Sequence, residues 1–267
     1  MNSWIKTGIG TCVLCAGISA LAAGLGPPPG PSEGKGGWIE LIGPQGLTEW
    51  TRAPMHKNRS FRDRWLHVGS AFLDPVDPRR LATRPGTGVL VNGKTGRTWN
   101  LVTKRNFGDI EAHIEFLVAK SANSGVYFLG RYEVQILDSW GKQRVKYSDC
   151  GGIYQRWDPS RGKGREGFEG RAPRVNASQP PGRWQSFDVV FRAPRFDARG
   201  RKTANARFVK VVHNGVLVHE NVECTGPTRA ATFNDERPRG PLMLQGDHGP
   251  VAYRNIRVRP LSSAAGR

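Results

Sequence analysis

The sequence is poor in cysteine, in acidic residues and in long apolar runs. Four cysteines in 267 residues are too few for a scaffold built on disulfides. The 22 acidic residues face 40 lysines and arginines, which gives a formal net charge of +18. Such a charge is typical of proteins that meet nucleic acid, anionic surfaces or acidic substrates. Aromatic residues are plentiful, with 8 Trp, 11 Phe and 5 Tyr, and they exclude a disordered chain.

One long apolar run lies near the N-terminus. Residues 7–20 carry no charge, and Ala20-Leu21-Ala22 has the small-x-small pattern of a signal-peptide cleavage site. A transmembrane anchor is the weaker alternative, because glycines interrupt the run and no basic flank follows it. We therefore predict export to the periplasm or beyond the cell, with three segments: a signal peptide at 1–22, a Pro/Gly-rich linker at 23–37 and one folded domain at 38–262.

Cleavage after Ala22 would leave two cysteines, Cys150 and Cys224. An oxidising compartment outside the cytoplasm permits a disulfide between them. Two buried free thiols are an equally open alternative.

Short alternations of apolar and polar residues dominate the chain from Trp38 onward. With 34 Gly and 19 Pro marking turns and no convincing amphipathic helix, they predict an all-β antiparallel sandwich or barrel. Asn214-Gly215 predicts a hairpin turn between two such strands. Residues 52–84 and 157–183 break the rhythm, and we predict long loops there on the rim of the sandwich.

Two glycine-rich segments match nucleotide-binding patterns only by their letters. Residues 88–95 fit GxxxxGK[ST], but the sequence on both sides is strand-like, so Asn92-Gly93 is predicted to be a hairpin turn. Residues 162–167 fit GxGxxG inside the Arg/Pro-rich loop, with no strand before them and no helix after them. Neither segment predicts a nucleotide site.

Polar residues stand on or beside strands that are otherwise apolar. Taken one at a time, each is more often part of a solvated strand face or a turn than part of a site. The residues in question are Asn123, Glu133, Gln135, Asp138, Gln245 and His248.

Ordered motifs with compatible spacing occur at 123–128, 132–138, 150–154, 181–188, 191–196, 213–215, 240–249 and 253–256. In this order they resemble the 3-keto-disaccharide hydrolase family, also described as a 3-keto-glucoside 1,2-lyase/3-keto-2-hydroxy-glucal hydratase domain and formerly as a domain of unknown function. The resemblance runs from about Gly37 to Leu261. It implies a concanavalin A-like jelly-roll β-sandwich whose concave face binds sugar. Residues 52–84 and 157–183 depart from the usual pattern, which leaves the substrate open.

The resemblance also implies a chemistry. A ketone at C3 of a glycoside acidifies the hydrogen on C2, so that a base can remove it, the C1 substituent can leave, and water can add at C1. Glu133 is the candidate base or metal ligand, and His248 is the candidate acid or base. A divalent metal is left open as a cofactor. The candidate substrate-binding residues are Asn123, Gln135, Asp138, Tyr154 and Gln245, while Trp184, His113 and Glu115 are weaker candidates for lining the site.

The basic residues are spread over several long segments rather than forming a patch interleaved with exposed aromatics. This distribution predicts a solvated basic surface, able to dock on an anionic envelope, and no nucleic-acid partner. Two functions for a glycoside or oligosaccharide ligand stay open. One is an exported enzyme that cleaves 3-keto-glycosides, and the other is a non-catalytic carbohydrate-binding module on the same sandwich.

Overall fold

The computed structural model describes residues 33–34, 37–44, 46–54, 61 and 64–261. The predicted signal peptide and most of the predicted linker lie outside the described residues. Within this part of the chain, no helix is long and apolar enough to cross a membrane.

Antiparallel strands are the main regular elements of the described chain; one turn of 3-10 helix lies at Pro159–Arg161. The strands are β1 (Glu33–Gly34), β2 (Trp38–Glu40), β3 (Trp50–Arg52), β4 (Leu66–Leu73), β5 (Leu81–Val91), β6 (Leu101–Thr103), β7 (Ile110–Val118), β8 (Asn123–Phe128), β9 (Tyr132–Leu137), β10 (Arg156–Trp157), β11 (Gly167–Phe168), β12 (Gln185–Arg192), β13 (Arg195–Phe196), β14 (Lys202–Ala204), β15 (Ala206–His213), β16 (Val216–Cys224), β17 (Met243–Leu244) and β18 (Val251–Pro260).

Two sheets form a jelly-roll sandwich, as the sequence predicts. The larger sheet has the order β1-β2-β18-β7-β12-β15-β16, and β5 joins it beside β18 with β4 at its edge. The smaller sheet has the order β3-β6-β17-β8-β9. Two-stranded ribbons, β10-β11 and β13-β14, lie outside both sheets.

Aromatic rings from opposite sheets meet in the core. The ring centroid of Phe128 on β8 lies 5.1 Å from that of Phe191 on β12 and 5.3 Å from that of Phe208 on β15. Tyr132 on β9 lies 5.6 Å from Phe191. Residues on β7 and β12 alternate between buried and half-buried positions, which confirms the predicted period of two.

The hairpin predicted at Asn214-Gly215 is confirmed. Both residues have positive φ, 52° and 80°, and His213 pairs with Val216 across the turn. A two-residue turn of this kind matches the right-handed twist of the strands that it joins.

The prediction of a hairpin turn at Asn92-Gly93 is wrong. Strand β5 pairs with β4 and β18, and the next strand, β6, lies in the other sheet. The buried Asn92 side chain instead donates to the carbonyls of Gly246 (3.1 Å) and Gly249 (2.7 Å) and accepts from the Val251 amide (2.8 Å). Since these contacts satisfy three buried backbone groups, Asn92 anchors a distant loop rather than a local turn.

The prediction of a loop at 52–84 is wrong for the second half of this segment, where β4 and β5 form a long hairpin. The pairing register shifts between Val68 and Ser70. A Cβ at Gly69 would lie 2.6 Å from the Pro85 carbonyl oxygen, so the two backbones approach closely at this irregularity. The shift interrupts the period of two that identifies a strand in a sequence. The segment at 157–183 is largely irregular, as predicted, apart from the end of β10 at Trp157, β11 and the 3-10 turn.

Cys150 and Cys224 are both buried and both free. The sequence left open a disulfide or two buried free thiols, and the structure has two buried free thiols. Burial raises the pKa of each thiol to about 12, which keeps both protonated and unreactive at neutral pH.

Candidate functional site

The outer face of the smaller sheet is covered rather than solvated. Glu133 and Gln135 point away from the core and are still only 2% and 3% exposed. Above them is a cavity of about 550 Å³. Its walls are formed by Pro54, Phe61, Asn100, Asn123, Tyr127, Glu133, Gln135, Tyr154, Arg229, Ala230, Ala231, Thr232, Gln245, Asp247 and His248.

Strand register brings the polar floor of this cavity together. On β8 and β9, Tyr127 pairs with Glu133 and Gly125 pairs with Gln135. The amide of Gln245, just beyond β17, donates to the Gly125 carbonyl at 3.0 Å. Because paired residues point to the same face of a sheet, these side chains share the outer face.

Glu133 lies directly over Gly125. A Cβ at position 125 would come within 2.2 Å of the Glu133 Oε1 atom, so only glycine leaves room for the carboxyl group. Burial raises the pKa of Glu133 to about 8, the charge of Asp247 acts in the same direction, and the hydrogen bond from Tyr127 opposes both. A carboxyl group with this pKa can release and recover a proton near neutral pH.

Asp247 and His248 form a pair at one wall. The Nδ1 atom of His248 lies 2.5 Å from Oδ1 of Asp247, which leaves Nε2 as the ring nitrogen for a ligand. The Arg97 guanidinium donates to the Asp247 carbonyl at 2.8 Å. Together with the contacts of Asn92 to Gly246 and Gly249, this bond fixes the loop that carries the pair.

Two amide oxygens in the cavity have no hydrogen-bond partner among the described residues. They are Oδ1 of Asn123 and Oε1 of Gln245, and both atoms are buried. An unpaired buried acceptor costs about 1–3 kcal/mol, and sugar hydroxyls are donors that could satisfy both. Gln135 differs, because its amide already donates to the Ser148 carbonyl at 3.2 Å and accepts from the Ile136 amide at 3.1 Å.

Two tyrosines stand beside Glu133. Burial raises the pKa of Tyr127 well above its ordinary value, and the nearby charge of Glu133 raises it further. Burial and Glu133 also raise the pKa of the half-buried Tyr154, whose ring meets Tyr147 edge to face at 5.5 Å. Both hydroxyls therefore stay protonated and can donate hydrogen bonds at neutral pH.

The structure brings most of the sequence-predicted residues to one cavity. Those at its wall are Asn123, Glu133, Gln135, Tyr154, Gln245 and His248.

Asp138 is the exception among the predicted substrate-binding residues. Its carboxylate accepts from the Ser121 amide at 2.9 Å and its backbone amide donates to the Ala122 carbonyl, so it holds the connection between β7 and β8. The weaker candidates also lie elsewhere. His113 and Glu115 are on the outer face of the larger sheet, and Trp184 packs under the Arg254 guanidinium at 4.1 Å.

Sequence reasoning missed Tyr127, Asp247 and Arg229. Tyr127 stands in an apolar strand and looks like core, while Arg229 lies in an irregular segment with no periodicity. A buried arginine holds that segment in place. Arg131 donates through Nε to the Asp235 carbonyl and through Nη2 to the Asp235 carboxylate, both at 2.5 Å. An arginine in the short turn between the two apolar strands β8 and β9 is the sequence feature that could have pointed to this contact.

Metal binding was left open by the sequence. Within the described ranges, no group of three or more His, Cys, Asp or Glu side chains is arranged to hold a metal ion.

Comparison of the sequence with known protein families identifies the family to which this chain belongs. Residues 37–259 match the model of the 3-keto-alpha-glucoside-1,2-lyase-like domain, so the chain belongs to that carbohydrate-active family. This confirms the resemblance of the ordered motifs. No curated protein matches the sequence.

Two solved structures share the fold, and each is a "putative glycosyl hydrolase" from Parabacteroides distasonis ATCC 8503. The first has a TM-score of 0.57 and 24% sequence identity, over 85% of this chain and 84% of that chain. The second has a TM-score of 0.51 and 14% identity, over 85% of this chain and 95% of that chain. At these identities the likeness supports the jelly-roll assignment alone.

The raised pKa of Glu133 predicts a pH-dependent stability. An ordinary glutamate in the unfolded chain loses its proton near 4.5, whereas the folded chain keeps it to about 8. Between these values the unfolded state binds fewer protons, so the free energy of unfolding falls with rising pH, by at most about 1.4 kcal/mol per unit. Glu133→Gln removes this loss. Thermal unfolding at pH 5 and pH 8 should show the variant gaining stability over the wild type as pH rises.

Glu115→Gln is the matched control. Burial tends to raise the pKa of Glu115, but hydrogen bonds from Asn255 and Arg254 outweigh it and hold that pKa below its ordinary value. The ionised Glu115 carboxylate therefore contributes fully to the free energy of unfolding above pH 5, and this contribution is lost only as the pH falls into the acid range. A stability difference between Glu133→Gln and the wild type that stays flat from pH 5 to pH 8 would contradict the raised pKa.

Proposed function

We propose that this member of the 3-keto-alpha-glucoside-1,2-lyase-like family is an enzyme that cleaves the glycosidic bond of 3-keto-glycosides. The observation that carries the proposal is the buried Glu133 carboxyl group at the floor of a sugar-sized cavity, with a pKa raised to about 8. The ordered motifs and the family membership support the same reaction class.

Glu133 is the proposed base. Its carboxylate removes the hydrogen from C2 of the 3-keto sugar, and the electron pair moves to give an enediolate with its charge on the oxygen at C3. A carboxylate that is poorly solvated is a stronger base than one in water, because the protonated form is favoured. The hydroxyl of Tyr127 donates to the Glu133 carboxylate, so the protonated hydroxyl of Tyr154 is the proposed donor to the enediolate oxygen.

His248 is the proposed acid for the leaving oxygen. As the enediolate collapses, the bond from C1 to the leaving oxygen breaks, and the imidazole supplies the proton that this oxygen takes up. Asp247 orients the ring through Nδ1. Water then adds at C1 and gives one proton to His248, the proton held by Glu133 returns to C2, and the net reaction is hydrolysis to the 3-keto sugar and the free aglycone.

The remaining cavity residues would bind the sugar. The unpaired oxygens of Asn123 and Gln245 would accept hydrogen bonds from its hydroxyl groups. Gln135 has its amide engaged by the protein, so its role would be to fix the floor beside Glu133.

The proposal includes export and a basic surface that suits an anionic envelope. Residues 1–22 support export by their signal-peptide pattern, although they lie outside the described residues. N-terminal sequencing of the protein recovered outside the cytoplasm should begin at Ala23, and an intact Met1 there would oppose this part.

Turnover of a 3-keto-glucoside by the purified protein tests the reaction. We expect release of 3-keto-glucose, with kcat/KM rising with pH up to about 8 because the base must be ionised. Glu133→Gln should lower kcat by about 10²–10⁴-fold and His248→Ala by about 10²-fold. Glu115→Gln and His113→Ala make the same chemical changes on the outer face of the larger sheet and should leave turnover near the wild-type value.

Sugar binding without turnover in the wild type would contradict the enzyme and favour a carbohydrate-binding module. The same conclusion would follow if Glu133→Gln were as active as Glu115→Gln.

Gly125→Ala tests the placement of the base. The added methyl group would lie 2.2 Å from Oε1 of Glu133, so the carboxyl group must move, and we expect kcat/KM to fall by about 10²-fold. The double variant Gly125→Ala/Glu133→Gln should be no slower than Glu133→Gln alone, because both changes act through one group. Additive losses would show that Gly125 acts on the sheet rather than on Glu133.

A further inference from the structure

The mouth of the cavity differs in charge from its floor. Glu133 is buried at the floor and Asp247 is buried at one wall, whereas Arg229 is an exposed residue of the opposite part of the lining. The Arg229 guanidinium lies over the Trp157 ring, 3.9 Å from the ring centroid. Trp157 is itself 40% exposed, so the stacked pair faces solvent at the opening.

Arg229 has no carboxylate partner among the described residues. Asp158 follows Trp157 in sequence, but its carboxylate binds Ser160 instead, accepting from the amide (2.9 Å) and the hydroxyl (2.7 Å) of that residue. Glu169 accepts from the Thr225 hydroxyl at 2.6 Å and lies 3.6 Å from Arg156. The charge of Arg229 does reach Tyr154, where it lowers the pKa and so opposes the effect of burial.

Neighbouring arginines add to the positive charge at this side of the molecule. Arg156 and Arg161 both place their guanidinium groups over the Phe168 ring, at 4.9 Å and 4.3 Å from its centroid. Neither of them is part of the cavity wall. Arg229 is therefore the arginine of this group that a ligand in the cavity would meet.

Stacking leaves a guanidinium suited to anions. A guanidinium that lies over an indole ring contacts it through carbon and nitrogen atoms of its face, and its N–H donors point outward in its own plane, where they can bind a carboxylate at two points. An arginine held in this way also loses less conformational freedom when it binds.

We propose that the Arg229–Trp157 pair is a subsite for an anionic group, a carboxylate in the simplest case, on the part of the glycoside that leaves. This inference rests on the proposed function, which puts the reacting sugar ring over Glu133 at the floor. Whatever is attached to that ring then extends toward the mouth. The protein would thus select 3-keto-glycosides with acidic aglycones over those with neutral ones.

The test compares two substrates, phenyl 3-keto-glucoside and its 4-carboxyphenyl analogue. The measured quantity is the ratio of kcat/KM for the acidic substrate to that for the neutral one, and its change between variants removes the intrinsic difference between the leaving groups. Arg229→Gln should lower this ratio by about tenfold, the effect of losing one charge-assisted hydrogen-bonded contact.

Arg161→Gln is the matched control. It removes the same charge from an exposed arginine that is also stacked on an aromatic ring, but away from the cavity wall. The ratio should stay at the wild-type value. An equal fall in both variants would show that general attraction by the basic surface, rather than a subsite, favours the acidic substrate, and would overturn the proposal.

Binding of the unoxidised phenyl and 4-carboxyphenyl glucosides, measured by calorimetry, separates the two proposals. If neither 3-keto substrate is turned over, but the wild type binds the acidic glucoside more tightly and Arg229→Gln does not, the reaction is wrong and the subsite stands. If both substrates are turned over with a ratio that Arg229→Gln leaves unchanged, the reaction stands and the subsite is wrong.

Discussion

The site depends on a carboxyl group buried on the side of a sheet that would ordinarily face water. The core between the sheets already uses the other face of β8 and β9, where Phe128 and Tyr132 pack against Phe191. Glu133 therefore has to be enclosed by chain from outside the smaller sheet. That enclosure removes solvent, and the loss of solvent raises the pKa that makes the carboxyl group useful as a base near neutral pH.

Much of the remaining structure serves to hold this enclosure in place. Asn92, at the end of a strand in the larger sheet, fixes the loop that carries Gln245, Asp247 and His248. Arg131 does the same for the opposite wall, because its guanidinium binds Asp235 and stacks on Phe233 at 4.7 Å. Both anchors are buried polar side chains that bond to backbone groups, and Arg131 also binds the Asp235 carboxylate. Such an arrangement fixes one geometry rather than several.

The sequence predicts the sandwich well because its core strands follow a regular period of two, as β7 and β12 do. It fails for the β4-β5 hairpin, where a register shift beside Gly69 breaks the period. The turn signal at Asn92-Gly93 also misleads, since a turn-forming asparagine and a buried anchoring asparagine look the same in a sequence.

The residues of the candidate site also fall into two groups, those that a regular strand pattern reveals and those that it does not. Glu133 and Gln135 stand out because polar residues alternate with bulky apolar ones, and strand pairing then brings them beside Asn123. Arg229 and Asp247 lie in irregular segments whose position is set by long-range contacts, so no local pattern reveals them. Asp138 follows β9 directly in sequence, yet its hydrogen bonds to residues 121 and 122 hold it at the connection between β7 and β8.

The protonation state of Glu133 is the central physical claim, and it can be measured directly. Infrared difference spectra of the carboxyl stretch, recorded between pH 4 and pH 10 with Glu133→Gln as the blank, would isolate this one group. We predict a carboxyl group that stays protonated at pH 7 and titrates with a midpoint of about 8. A midpoint near the ordinary glutamate value of 4.5 would contradict it, since Glu133 would then be an unremarkable carboxylate at the bottom of a wet cleft.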